Sequence, residues 1–337
     1  MPPAPHERSN ALAYTTQIAH RDGAALPNKI VFTPKKKLDL LLYRLSFLFC
    51  QMGNSVSSYF FMPFQVLKTS VVGKKEDQSL CEDHIEITEG YVLLIDGATS
   101  KSDMVFDGVK GGKKACGLLL ECLHQLPNHL NAHQFVEALT QCISDYYKQL
   151  KLIEHMTRNP HDRITAAIAV LSHHHQEVWI VGDAQCLMGE VCFTNEKHID
   201  HTIAAARSLF IQTALADGKS ISDFQEIDTG REYVLPLLKG QSAFQNANYD
   251  SSYAYGAIDG FPVNSEHILR IPVDSDKIIL ASDGYPKLFS SFQQSEEYLQ
   301  MVLEKDPLCY KLHPSTKGLT IGQNSFDDRS WVELVWE

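Results

Sequence analysis

The sequence predicts one α+β domain over 63–337, preceded by a tail over 1–60, and three observations predict it. First, apolar runs rich in β-branched residues close on an aspartate beside glycine, as buried strands do where they leave a sheet. They read Tyr91-Val92-Leu93-Leu94-Ile95-Asp96-Gly97, Val178-Trp179-Ile180-Val181-Gly182-Asp183 and Ile278-Ile279-Leu280-Ala281-Ser282-Asp283-Gly284. Second, apolar residues recur at helical spacing after Gly111-Gly112 (Ala115, Leu118, Leu119, Cys122, Leu123) and again over 135–152. Third, no internal repeat or low-complexity linker divides 63–337, so strands and helices belong to one body.

In chain order, the first thirty residues lack the continuous apolar stretch of a secretory signal. Up to Lys37 the tail is rich in Pro, Ala, Asn and His without periodicity. Lys35-Lys36-Lys37 then leads into an apolar segment, 38–50, that carries Asp39 and Arg44. It is too short and too charged to span a bilayer, and reads as an amphipathic membrane-surface or docking helix, or as a helix packed on the domain. Short strands follow at 66–72 and 85–87. A hairpin joins 165–171 to 177–181 through the turn Ser172-His173-His174-His175-Gln176. Consecutive side chains in such a turn point different ways, so the His triplet reads as a solvated turn rather than a metal site. The stretch around 193–253 has one helix-like run, 202–216, then polar connections, and reads as an insertion over the sheet edge that offers substrate contacts. Strands resume at 267–271 and 277–281, a helix spans 295–303, and the last strand is 330–336.

Composition narrows the function. Formal net charge is −11, with 41 acidic against 30 basic residues, which disfavours a nucleic-acid partner bound through its phosphates. The eight cysteines form no CxxC or CxxH pair, which removes zinc-ribbon and thioredoxin readings and suits reduced thiols in the cytoplasm.

The aspartates carry the chemistry. Asp96, Asp183 and Asp283 stand at strand ends, and a fourth stretch, Ser325-Phe326-Asp327-Asp328, precedes the terminal strand. One such residue caps a turn. Several gathered at one rim hold hard cations such as Mg²⁺ or Mn²⁺, which prefer carboxylate, carbonyl and water oxygens. Two ions in such a site activate water and clamp a phosphoryl group.

The order Glu82-Asp83, Asp96-Gly97, Thr165-Ala166, Gly182-Asp183-Ala184, Ser282-Asp283-Gly284 and Asp327-Asp328 resembles the metal-dependent protein phosphatases (type 2C, PPM), as a divergent member of bacterial type. The resemblance implies a four-layer αββα sandwich of two antiparallel sheets flanked by helices. It implies two Mn²⁺ or Mg²⁺ ions, with Asp96 bridging them, the Gly97 carbonyl completing one site, Asp283 and Asp327 binding the other, and Glu82 acting through metal-bound water. Asp183 matches the aspartate of a possible third metal site. The nucleophile it implies is a metal-bridging hydroxide, with no catalytic Ser, Cys or His, and the substrate a phosphoserine or phosphothreonine protein.

Three positions depart from the family pattern. Gln78 stands where an arginine often contacts substrate phosphate, with Lys74, Lys75, Lys101 or Arg329 as the cations that could substitute, and Ala98 where eukaryotic members often have histidine. Lys287 stands four residues after Asp283, where aspartate is frequent, and a cation there would oppose a third ion beside Asp183. These departures motivate an alternative: a catalytically weak phosphatase-like regulator or binding protein.

Overall fold

Strand β3 (Tyr91–Gly97) is an inner strand of its sheet, and its residues from Tyr91 to Ile95 are buried whichever face they point to. A run of Tyr, Val, Leu and Ile without polar alternation has no side to offer to water. It pairs antiparallel with β2 (Asp83–Ile87) on one side and β4 (Ala166–Ser172) on the other. Beyond β4 lie β5 (Glu177–Val181) and β8 (Leu269–Pro272), giving a sheet of order β2-β3-β4-β5-β8. The second sheet is also antiparallel. It takes β1 (Phe64–Val72), β10 (Arg329–Trp336), β9 (Lys277–Ala281), β6 (Gln185–Met188) and β7 (Val191–Thr194) in that order. The computed structural model describes residues 64–195 and 197–336. The tail, with its apolar segment at 38–50 and the membrane association considered for it, lies outside the described residues.

Strand periodicity explains how the layers stack. Val92, Leu94, Ala169, Leu171 and Ile180 point toward the other sheet and meet Met188, Ile278, Leu280, Val332 and Leu334. Their neighbours Leu93, Ile95, Ile168, Val170 and Trp179 point the opposite way, onto helices α1 (Gly111–Leu123) and α2 (Ala132–Gln149). Leu119, Phe135, Leu139, Ile143 and Tyr147 supply the helical side of that contact, each at 0% exposure. Full burial of one such side chain contributes about 1.5–3 kcal/mol, so these two apolar layers dominate the stability. Helix α2 starts at a capping box in which Asn131 and Gln134 satisfy each other's backbone N–H groups.

The outer face of the second sheet, with Leu187, Ile279, Ala281 and Trp331, is covered by Tyr285, Leu288 and Phe292 at the start of α7 (Phe292–Lys305). Arg329 of β10 ties that helix down through a bidentate pair with Glu296, at 2.9 and 3.0 Å. The layers therefore run helix, sheet, sheet, helix, the four-layer αββα sandwich of two antiparallel sheets that the resemblance implies. No described helix is long and apolar enough to cross a membrane.

Two parts of the chain differ from the sequence expectation. The stretch expected to be polar connection after 216 contains more helix. After α3 (Ile153–Arg158) and α4 (His198–Ala216) come α5 (Ile221–Glu226) and α6 (Thr229–Gly240). Ser220 and Asp228 cap these short helices, and Pro236, which reads as a breaker, sits inside α6. Strands β6 and β7 were not expected. Four residues each, with Val191 and Cys192 exposed, they carry too short a pattern to read.

Candidate metal centre

Asp96 is the penultimate residue of β3, directly opposite Asp83 of β2 and Ala167 of β4. Gly97 follows because nothing larger fits: a Cβ there would lie 2.5 Å from the carbonyl oxygens of both Glu82 and Gly112. The first turn of α1 is thereby pressed against the end of the strand. Asp183 is aimed by Gly182, whose φ of +84° is a left-handed conformation that glycine adopts without strain. A Cβ on Gly182 would stand 2.5 Å from that of Ala167. Asp283 leaves β9 just after Ser282, which is locked to β10 by two hydrogen bonds. The Ser282 N–H donates to the Ser330 carbonyl (3.1 Å), and the Ser330 N–H to Ser282 Oγ (2.9 Å).

The two sheets thus deliver three carboxylates to one place. Asp96, Asp183 and Asp283 each offer an oxygen, and these oxygens lie within 4.8 Å of one another. Burial pushes the Asp96 carboxyl well above its ordinary range, and the charges of Asp83, Asp183 and Asp327 push it further. Asp283 is raised in the same way, by burial and then by Asp96, Asp183 and Asp327. Three carboxylates forced together out of water favour a compensating cation, and a hard divalent ion with oxygen ligands fits this donor set.

Lysines attend the neighbouring carboxylates. The Lys197 ammonium lies 2.5 Å from Asp183 and 3.7 Å from Asp200. Lys317 pairs with Asp327. Lys74 reaches Asp327 and Asp328 at 3.2 Å each and Glu82 at 3.5 Å. Burial alone would raise the Asp327 carboxyl, but Lys317 and Lys74 hold it down at about 2. For Glu82 the balance goes the other way: burial outweighs the pull of Lys74, and its carboxyl is raised. Asp83 is buried among Ser282, Ser330, Asp327 and Asp328, and burial pushes it up to about 8.

A cavity of about 250 Å³ opens over the three carboxylates. Its lining includes Asp96, Gly97, Asp183, Asp283 and Asp327, and it faces four cations: Lys101, Lys197, Arg231 and Lys317. Burial lowers the Lys101 ammonium to about 8, and the positive charges of Lys197, Arg231 and Lys317 act in the same direction.

Of the residues singled out in the sequence, Asp96, Asp183 and Asp283 form the convergent group. Gly97 and Asp327 share its cavity, whereas Glu82 faces Lys74. The expectation that Lys287 opposes a cation beside Asp183 does not hold. The Lys287 ammonium lies over the rings of Phe289 (4.8 Å) and Tyr298 (6.0 Å), and the cation at Asp183 is Lys197. Gln78 is a backbone clamp: its amide oxygen accepts from the Gly73 N–H (2.7 Å) and its amide nitrogen donates to the Lys75 carbonyl (2.7 Å). Sequence reading missed Lys197, Arg231 and Lys317. Each is an isolated basic residue in a polar stretch, and only the fold brings them to the aspartates.

No family model matches the chain, and no curated protein matches it. Solved structures to which it is similar include the serine/threonine phosphatase PstP/Ppp of Mycobacterium tuberculosis, at 14% identity over 81% of this chain and 100% of that one, with a TM-score of 0.40. The catalytic domain of PstP in complex with manganese ions aligns at 12% identity over 80% and 98%, with a TM-score of 0.40. Stp1 of Staphylococcus aureus aligns at 14% identity over 80% and 94%, with a TM-score of 0.39.

Proposed function

We propose that the chain is a metal-dependent protein phosphatase, a phosphoric monoester hydrolase acting on phosphoserine or phosphothreonine. The observation that supports it is the convergence of Asp96, Asp183 and Asp283 in a cavity whose walls also carry Lys101, Lys197, Arg231 and Lys317. Carboxylates suit a cation, and the facing cations suit the anionic oxygens of a phosphoryl group. Mn²⁺ or Mg²⁺ held there would supply Lewis acidity and an activated water for direct attack on phosphorus. In this reading Asp96, Asp283 and the Gly97 carbonyl would hold the ion together with Asp183. Glu82 and Asp327, each paired with lysine, are the remaining carboxylates beside it.

The remaining work falls to the chain itself. Asp96 and Asp283 are held by different sheets, so the sandwich sets their separation before any ligand arrives. Lys101 and Arg231 offer the charge that Gln78, turned back on its own loop, cannot bring. A phosphorylated protein segment is the partner, and the cytoplasm is the compartment that suits a cysteine pattern without CxxC or CxxH spacing.

Asp96→Asn and Asp283→Asn test the reading. Each is expected to abolish Mn²⁺-dependent hydrolysis of a phosphoserine peptide while leaving the circular dichroism spectrum unchanged. Turnover like that of the unaltered protein in either variant overturns it. The lysines on Glu82 and Asp327 favour one second reading, a regulator that binds phosphoprotein without turning it over. It predicts that the unaltered protein binds the peptide and releases no phosphate.

A further inference from the structure

Lys74 is built into the candidate site as firmly as the aspartates are. Its backbone N–H donates to Asp328 Oδ1 at 2.7 Å, and its carbonyl accepts from the Asn324 N–H at 2.9 Å. The next residue, Lys75, bridges Gln323. The chain leaving β1 is therefore pinned along the segment that carries Asp327, and the side chain has little choice of direction. Its ammonium ends among four oxygens: Thr99 Oγ1 at 3.1 Å, Asp327 Oδ1 and Asp328 Oδ2 at 3.2 Å each, and Glu82 Oε2 at 3.5 Å. The side chain is 13% exposed.

This oxygen cage is what a hard cation requires, and Glu82 and Asp327 are two of the donors that a second divalent ion would need. Such an ion draws its ligands to about 2.0–2.6 Å. An ammonium and a metal cannot occupy the same cage, and Lys74, being part of the chain, competes for it intramolecularly; Lys197, by contrast, meets one of the three convergent carboxylates, at Asp183 Oδ2. We propose that the Lys74 ammonium takes the place of the second cation, so that the chain holds a single divalent ion, at Asp96, Asp183 and Asp283. The proposal rests on the metal-dependent reading above and disagrees with the two-ion count that the sequence resemblance implies. Lys317, paired with Asp327 from the opposite side, reinforces the substitution. Glu82 and Asp327 are then structural counter-ions that join the end of β1 to the entry of β10.

Equilibrium dialysis against Mn²⁺, with metal content per chain and the electron paramagnetic resonance spectrum as readouts, tests this without any assay of activity. The unaltered protein is expected to retain one ion with the spectrum of an isolated Mn²⁺. Lys74→Met is expected to retain two, with the spectrum of an exchange-coupled pair. Two coupled ions in the unaltered protein overturn the inference and leave the phosphatase reading standing. One ion in both proteins also overturns it, because something other than Lys74 then excludes the second. No ion in either protein overturns the metal-dependent reading itself and this inference with it. Should Lys74→Met fail to fold, Glu82→Gln decides: unchanged stoichiometry and affinity support the inference, and loss of an ion overturns it.

Discussion

Replacing Arg207 with methionine should cost about 3–5 kcal/mol, though Arg207 pairs with none of Asp96, Asp183 and Asp283 and does not line the cavity. Its side chain, on α4, is 0% exposed. One guanidinium nitrogen donates to the carbonyls of Leu308 (2.8 Å), Ser315 (3.1 Å) and Cys309 (3.4 Å), and another to Asp228 Oδ2 (2.7 Å). The arginine therefore clamps the 308–318 segment, which carries Lys317, onto the helices beside the cavity. Methionine keeps much of the aliphatic volume and removes every donor. Asp228 is not wholly abandoned, since it still accepts from the backbone N–H groups of Arg231 (2.9 Å) and Gly318 (3.1 Å). The Leu308 and Ser315 carbonyls lose a charged donor, at about 1–3 kcal/mol for each group left unsatisfied, and Asp228 loses its buried ion pair. A loss of that size is a large share of the roughly 5–15 kcal/mol available to a folded domain. Urea unfolding followed through the buried Trp179 and Trp331 measures it. Arg207→Lys should recover little, because one ammonium cannot span acceptors arranged for a planar fork. A loss below about 1 kcal/mol for Arg207→Met would refute the clamp.

The other predictions concern the rim and the sheet. Gly97→Ala should destabilise by at least about 1–3 kcal/mol, because the new Cβ meets two backbone oxygens at 2.5 Å rather than a yielding side chain; calorimetric melting checks it. Glu296 is half-buried, and although burial would raise its carboxyl, the Arg329 and Tyr285 hydrogen bonds hold it below the ordinary value. The stability it adds is therefore present above the unfolded carboxyl pKa of about 4.3 and lost as pH falls through the lower folded value. The gap in urea stability between the unaltered protein and Glu296→Gln should be about 1–2 kcal/mol at pH 7 and shrink steadily below pH 4.5. An unchanged gap at pH 3 contradicts it. Saturating Mn²⁺ at about a hundred times its dissociation constant should add about 2.7 kcal/mol of stability, reversed by chelation; a melting temperature indifferent to Mn²⁺ contradicts it.

Much of the sandwich was legible because its central strands announce themselves. The run from Tyr91 to Ile95 is apolar on both faces, and β5 and β9 coincide with the 177–181 and 277–281 runs expected for them. The turn between β4 and β5 holds His173, His174 and His175 as expected. Short elements were not legible: β6 and β7 take their identity from neighbouring strands, and α5 from its caps. The aspartates could be read because each ends a strand, a local signal. Lys74 and Lys101 could be read as candidate phosphate contacts, but the pairing with carboxylates could not, because Lys74 meets Asp327 across 253 positions. Lys287 shows the converse error: nearness to Asp283 in the chain suggested opposition, but aromatic rings nearby claim its ammonium.

Asp96, Asp183 and Asp283 should share one divalent cation, and titration calorimetry with Mn²⁺ measures that sharing. The unaltered protein should bind Mn²⁺ saturably. In each of Asp96→Asn, Asp183→Asn and Asp283→Asn the affinity should be at least about tenfold weaker, a loss of about 1.4 kcal/mol or more, at unchanged fold. Binding of undiminished affinity in all three variants, or no binding to the unaltered protein, would contradict it.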